Sequence, residues 1–205
     1  MLIIRHRVNK IKDLKETPKE FGVEIDIRGY GNKLLLNHDS IEDPEKYDSL
    51  EDYLNNFNHS FVIFNLKEAG YESRVIDLAK KNGIENYFLL DVEFPYFFNA
   101  TRKQSFRKIA VRYSEAEPIE FALSQVKDGK SLVDWVWIDT NTQLPLNREI
   151  YSKLKEVGFK LCLVCPERWG RPEDIDNYKK FMKDNKIELD AVMTSSDYIE
   201  KWKNN

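Results

Sequence analysis

Short apolar, β-branched runs recur along the chain at 2–8, 22–28, 61–67, 87–94, 108–114, 134–140, 160–167 and 191–196. Between them lie segments with the i, i+3, i+4 spacing of amphipathic helices, such as YESRVIDLAKKNG, EPIEFALSQVKDG, NREIYSKLKEVG and PEDIDNYKKFMKDNK. Several close on a glycine just before the next run, where a helix C′ position favours it. Between the second and third runs the gap is longer and holds LLLNHD, which reads as a hairpin strand, and SLEDYLNNFN, which reads as the helix. Eight βα units predict an α/β chain with the (β/α)8 TIM barrel fold: a small single domain over residues 1–205, with a hairpin-containing insertion after strand 2. Parallel strands buried on both faces read as continuous apolar runs, as these do. A doubly wound open sheet needs no eighth strand and usually carries a Gly-rich phosphate turn, a pattern that GYGN (29–32) does not follow.

Composition narrows the picture. The 205 residues are 41% hydrophobic and 33% charged, enough apolar material for one substantial core. Thirty-two basic residues against 35 acidic ones leave a net charge of −3, which gives no reason to expect binding to a nucleic-acid backbone. No apolar run approaches the roughly 18 residues of a transmembrane segment, and Arg5 interrupts the opening run too early for a signal peptide. A soluble, cytoplasmic protein is expected, with its oligomeric state left open. Cys162 and Cys165 have CxxC spacing, but they lie in a strand-like run, where residues three apart point to opposite faces. A structural role is expected for both.

In a (β/α)8 barrel the chemistry sits at the C-terminal ends of the strands. Those ends are rich in charge here: Arg5, His6, Arg7 and Asn9; Glu24, Asp26 and Arg28; His38 and Asp39; Asn65 and Lys67; Asp91 and Glu93; Arg112 and Glu115; Asp139; Glu167 and Arg168. In VEIDI the period of two puts Glu24 and Asp26 on one face and Val23, Ile25 and Ile27 on the other. Paired carboxylates pointing inward need neutralising, either by a divalent cation such as Mg²⁺ or Ca²⁺ or by ion pairs with Arg7, Arg28 or Lys67. His6 and His38 fall at predicted strand and hairpin ends beside charged residues and suit proton transfer near neutral pH. His59 lies at the opposite end of its strand and is expected to be structural. Arg112 and Glu167 are candidates for substrate contact or for rim ion pairs such as Arg112 with Glu93; Tyr30, Tyr96, Phe97 and Phe98 are candidates for an aromatic wall, although packing is the commoner role of aromatic residues in a short barrel.

The set HRVN, FGVEIDIR, LLLNHD, SLEDYL and FNLK resembles, in order and spacing, the motifs of the glycerophosphodiester phosphodiesterase family within the phospholipase C-like phosphodiesterase superfamily. The ending AVMTSSDY is similar to that family's last strand. The resemblance implies a TIM barrel and a metal-dependent phosphoric diester hydrolase acting on a small-molecule phosphodiester. It makes His6 and His38 the acid/base pair, Arg7 a phosphate contact, Glu24 and Asp26 metal ligands and Lys67 a stabiliser of the phosphoryl oxygens. Two positions depart from the pattern. Asn65 stands where the family usually has an acidic ligand; its amide oxygen can still bind Mg²⁺ or Ca²⁺, without the charge. Val8 stands where a small residue usually follows His-Arg. The alternatives are a phosphodiester lyase or transferase that releases a cyclic phosphate, and a non-catalytic barrel that binds a phosphate or sugar ligand.

Overall fold

The computed structural model describes residues 1–203, and the chain gathers into two compact units. One is Ile4–Tyr96; the other is Met1–Ile3 with the described residues from Phe97 onward.

The first unit holds the end of β1 (Leu2–Arg5), α1 (Ile11–Glu16), β2 (Gly22–Tyr30), β3 (Lys33–Leu36), α2 (Leu50–Asn55), β4 (Phe61–Leu66), α3 (Glu72–Lys81) and β5 (Tyr87–Leu90). Its parallel strands run in the order β5-β4-β2-β1, with Ile4 opposite Gly22 and Asp26 opposite Asn65. β4 is buried at every residue, as a parallel strand covered on both faces must be. The antiparallel β3 pairs with β2 through a two-residue turn in which Gly31 takes φ 56°, a left-handed conformation that glycine adopts without strain. α2 starts on Ser49, whose hydroxyl accepts the Asp52 N–H at 3.1 Å.

The second unit contains most of α4 (Phe94–Lys103), then β6 (Ala110–Tyr113), α5 (Ile119–Leu123), the short hairpin β7 (Val126–Lys127) and β8 (Lys130–Ser131), and β9 (Trp135–Ile138). It continues with α6 (Arg148–Glu156), β10 (Lys160–Val164), α7 (Asp174–Asp184), β11 (Ala191–Thr194) and α8 (Ile199–Lys203). The start of β1 is tied here by the Leu2 N–H to the Asp190 carbonyl at 2.8 Å, and the order runs β1-β11-β10-β9-β6. The eight parallel strands and their intervening helices give the (β/α)8 fold. No helix among the described residues is long and apolar enough to cross a membrane.

Two expectations are corrected. EPIEFALSQVKDG is not one helix: α5 stops at Leu123, and Asp128 and Gly129, at φ 52° and 75°, make the hairpin turn of β7 and β8. The run 87–94 is strand only to Leu90, because Asp91 takes φ 59° and Phe94 opens α4 with Pro95 in its first turn. Asp91 and Glu93 therefore lie beyond the strand rather than on its end, and both are exposed. Of the aromatic residues considered for a wall, Phe97 is packed inside α4's buried face, whereas Tyr30 and Phe98 are exposed.

Candidate active site

β2 sets the centre of the site. Glu24 and Asp26 are each 1% exposed, and the strand's pleat turns both to one face. Beside them on β4, in register with Asp26, lies Asn65. Its amide Nδ2 donates to Glu24 Oε1 at 2.9 Å and Asp26 Oδ1 at 3.3 Å, while its Oδ1 is buried and accepts no hydrogen bond. Lys67, just past β4, places Nζ 2.8 Å from Asp26 Oδ1.

The turn after β1 closes over these carboxylates. Arg7 takes φ 53°, so its backbone N–H reaches Glu24 Oε2 at 2.8 Å, and the next N–H, of the buried Val8, goes to the Glu24 carbonyl at 2.9 Å. Asn9 donates Nδ2 to Asp26 Oδ2 at 2.9 Å and accepts the Asp26 N–H at 2.8 Å. His6 Nε2 lies 3.9 Å from Glu24 Oε2.

The electrostatics split the pair. Burial, then the neighbouring charge of Asp26, push Glu24 from 4.5 up to about 7. Burial acts on Asp26 too, but the hydrogen bonds from Lys67 and Asn9 outweigh it and hold that carboxyl below its ordinary value.

His38 follows β3, where the Asn37 N–H to the Asp26 carbonyl at 3.1 Å brings the chain back to β2. Its Nδ1 is 2.8 Å from Asp39 Oδ1, and that hydrogen bond lowers the Asp39 pKa. Arg28 donates Nε and Nη2 to the His38 carbonyl, at 3.1 and 2.8 Å.

Two imidazoles, one partly shielded ammonium and a buried carboxylate pair thus stand together in the first unit. Such a group can give and take protons, neutralise an anion and supply hard oxygen donors. No family model and no curated protein sequence matches the chain. Solved structures do. A glycerophosphodiester phosphodiesterase from Agrobacterium tumefaciens superposes with a TM-score of 0.65 over 95% of this chain and 96% of that one, at 12% identity. A glycerophosphoryl diester phosphodiesterase from Parabacteroides distasonis gives 0.58 over 94% of this chain and 81% of that one, at 15% identity. The chain has the fold of these phosphodiesterases.

On this (β/α)8 fold the first unit brings together His6, Glu24, Asp26, Asn65 and Lys67, with His38 carried by the hairpin that β2 begins. Arg7 contributes its backbone to Glu24, and its side chain is exposed. Arg112 and Glu167 belong to the second unit and have partners there. Arg112 Nη1 binds Asp139 Oδ2 at 2.6 Å; Glu167 Oε1 accepts the Thr194 hydroxyl at 2.7 Å and the Ser195 N–H at 2.9 Å. His59 lies before β4, its Nε2 2.9 Å from the Thr17 carbonyl. Sequence reasoning passed over Glu68, which pairs with Arg28 and accepts the Gly29 N–H at 2.9 Å; no periodicity singles out a charge directly after a strand-end lysine.

Proposed function

We propose that the chain is a phosphodiesterase acting on a small diester of the glycerophosphodiester kind, with His6 and His38 as its proton-transfer pair. What carries the reading is the first unit's arrangement of two imidazoles with the buried Glu24–Asp26 pair and Lys67, on a fold shared with glycerophosphodiester phosphodiesterases. Cleaving a phosphodiester requires a base for the attacking hydroxyl, an acid for the leaving alkoxide and positive charge for the non-bridging oxygens. Asp39 on Nδ1 orients the His38 ring and leaves Nε2 to exchange the proton. Glu24, beside His6, favours the imidazolium when it forms. Lys67 and the exposed Arg7 guanidinium take the phosphate's charge. A hydroxyl of the substrate next to the phosphate is the nucleophile, so a cyclic phosphate is the first product.

Glu24, Asp26 and Asn65 fit a divalent cation, Mg²⁺ or Ca²⁺. Both carboxylates and an amide are oxygen donors of the hard type, and Asn65 Oδ1 is buried without a partner of its own. With Nδ2 toward the carboxylates the amide offsets part of their charge; turned over, it offers the third oxygen. When bound, the cation would supply charge neutralisation at the phosphoryl oxygens. Held by two charges and one neutral oxygen, it should bind more weakly than in a three-carboxylate site.

The test is a panel of glycerophosphodiesters with Mg²⁺, Ca²⁺ or EDTA, the products followed by phosphorus NMR. Turnover that needs the ion, with or without a cyclic product, is the expected result. Wild-type protein that binds the ion and leaves every diester intact would make it a ligand-binding barrel instead.

A further inference from the structure

We propose that Arg28 and Glu68 form a clamp that positions His38; the inference rests on the catalytic reading of His38 above. His38 lies beyond the end of β3, with no strand of its own to fix it. Its carbonyl instead receives two N–H groups of one guanidinium, Nε at 3.1 Å and Nη2 at 2.8 Å, while Nη1 of the same group pairs with Glu68 Oε1. The second carboxylate oxygen, Oε2, accepts the Gly29 N–H at 2.9 Å. Glu68 is thereby fixed to the strand that carries Arg28, and Arg28 to the residue that carries the imidazole.

The arrangement uses what only a guanidinium offers: a planar fork that binds one acceptor twice and still has an edge for a carboxylate. A lysine would keep the charge and lose the fork. Gly29 adds a constraint, since a Cβ there would lie 2.1 Å from the Tyr71 hydroxyl, which closes that side of the hairpin. Period two puts Arg28 on the same face of β2 as Glu24 and Asp26, and Glu68 directly follows Lys67. The end of β4 therefore supplies in succession an ammonium for Asp26 and a carboxylate for Arg28. With the ring held by Asp39 and the backbone by Arg28, His38 is fixed from both ends.

This makes Arg28 a positioning residue rather than a phosphate contact, and the two roles separate in kinetics. Arg28→Lys, Arg28→Met and Glu68→Gln would be compared with wild type for kcat and KM on a glycerophosphodiester. The His38 ring nitrogens would be followed by ¹⁵N NMR and folding by thermal unfolding. For the two Arg28 variants kcat should fall by about 10²-fold, the usual consequence of a misplacement near 1 Å, with KM within about twofold of wild type. Glu68→Gln keeps a hydrogen-bonding amide and should lose only about tenfold. In wild type His38 should show one dominant tautomer, and in the Arg28 variants an average of two. The clamp is overturned if Arg28→Lys keeps wild-type kcat, if KM rises while kcat holds, or if folded Arg28 variants leave the His38 signals unchanged. Wild-type protein inert toward every diester would sink the phosphodiesterase reading, and the ring signals alone would then decide the clamp.

Discussion

Glu24 in the first unit and Asp139 in the second are both buried carboxylates in or beside parallel strands, yet their surroundings differ. Asp139 has a guanidinium of its own, Arg112 at 2.6 Å, and the Trp137 indole N–H at 3.0 Å on the same oxygen. Glu24 has no such partner: the nearby ammonium, Lys67, sits on Asp26, and Glu24 is left with an amide, a backbone N–H and an imidazole 3.9 Å away. Its pKa rises to about 7 as a result. Asp139 is matched by charge, whereas Glu24 is left with a raised pKa, the kind of perturbation that the proposed chemistry would use.

The hardest test of this contrast is at the histidines. His6→Ala or His38→Ala should lower the rate by about 10² to 10⁴, the range of a positioned proton-transfer group, whereas His59→Ala should leave it nearly unchanged. Steady-state rates on one diester decide the matter. Similar small losses at all three would reduce the first unit's site to a charged surface like any other.

Next in size is the deficit of positive charge itself. Asn65→Asp would put a third carboxylate against Glu24 and Asp26, costing on the order of 3 kcal/mol of stability in EDTA. Added Mg²⁺ or Ca²⁺ should restore it, with tighter ion binding than in wild type. Glu24→Gln and Asp26→Asn should do the reverse, weakening ion binding and activity together. Calorimetry and melting curves with and without the ion read both effects; a Tm in Asn65→Asp that ignores the ion would place the cation elsewhere.

In the second unit the same kind of substitution should act on stability alone. Arg112→Ala strands Asp139 with the indole N–H and should cost about 1 to 3 kcal/mol, discounted by the partial exposure of the arginine. A urea titration measures the loss. A large change in KM with unaltered stability would instead return Arg112 to substrate contact.

The sequence makes the fold legible where apolar runs are long and β-branched. FVIFNL is strand from end to end and the run at 160–167 is strand to Val164, because a parallel strand buried on both faces is apolar at nearly every position, Asn65 being the exception in the first. It misleads where a turn residue has two uses. Gly83 and Gly158 do close helices, at φ 67° and 91°, but Gly129 belongs to an Asp-Gly hairpin, and KDGK looks the same until its partner strand is known. Within the site, period two puts Glu24 and Asp26 on one face, and the polar end of the third strand run adds Asn65 and Lys67. The pattern cannot say which carboxylate receives the lysine, or that Arg28 turns to a backbone carbonyl, because both depend on side-chain reach across strands.

The smallest effect expected is at the cysteines, where the second unit should show no chemistry. Both are buried and unbridged, and the Trp202 indole N–H rests on Cys165 Sγ at 3.1 Å. Burial, then the charge of Glu167, push the Cys165 thiol from 9.0 up to about 12, and burial raises Cys162 as well. A raised pKa keeps the folded thiol neutral, so this contribution to stability is fully present below pH 9.0 and is lost as pH rises toward about 12, where the folded group also ionises. At pH 8 the folded Cys165 therefore carries far less thiolate than an unfolded cysteine. Iodoacetamide should therefore label the native protein far more slowly than the urea-unfolded chain, and still slowly at pH 9. Native labelling as fast as unfolded at pH 8 would mean that the strand carrying KLCLV opens readily and that burial does not protect these thiols.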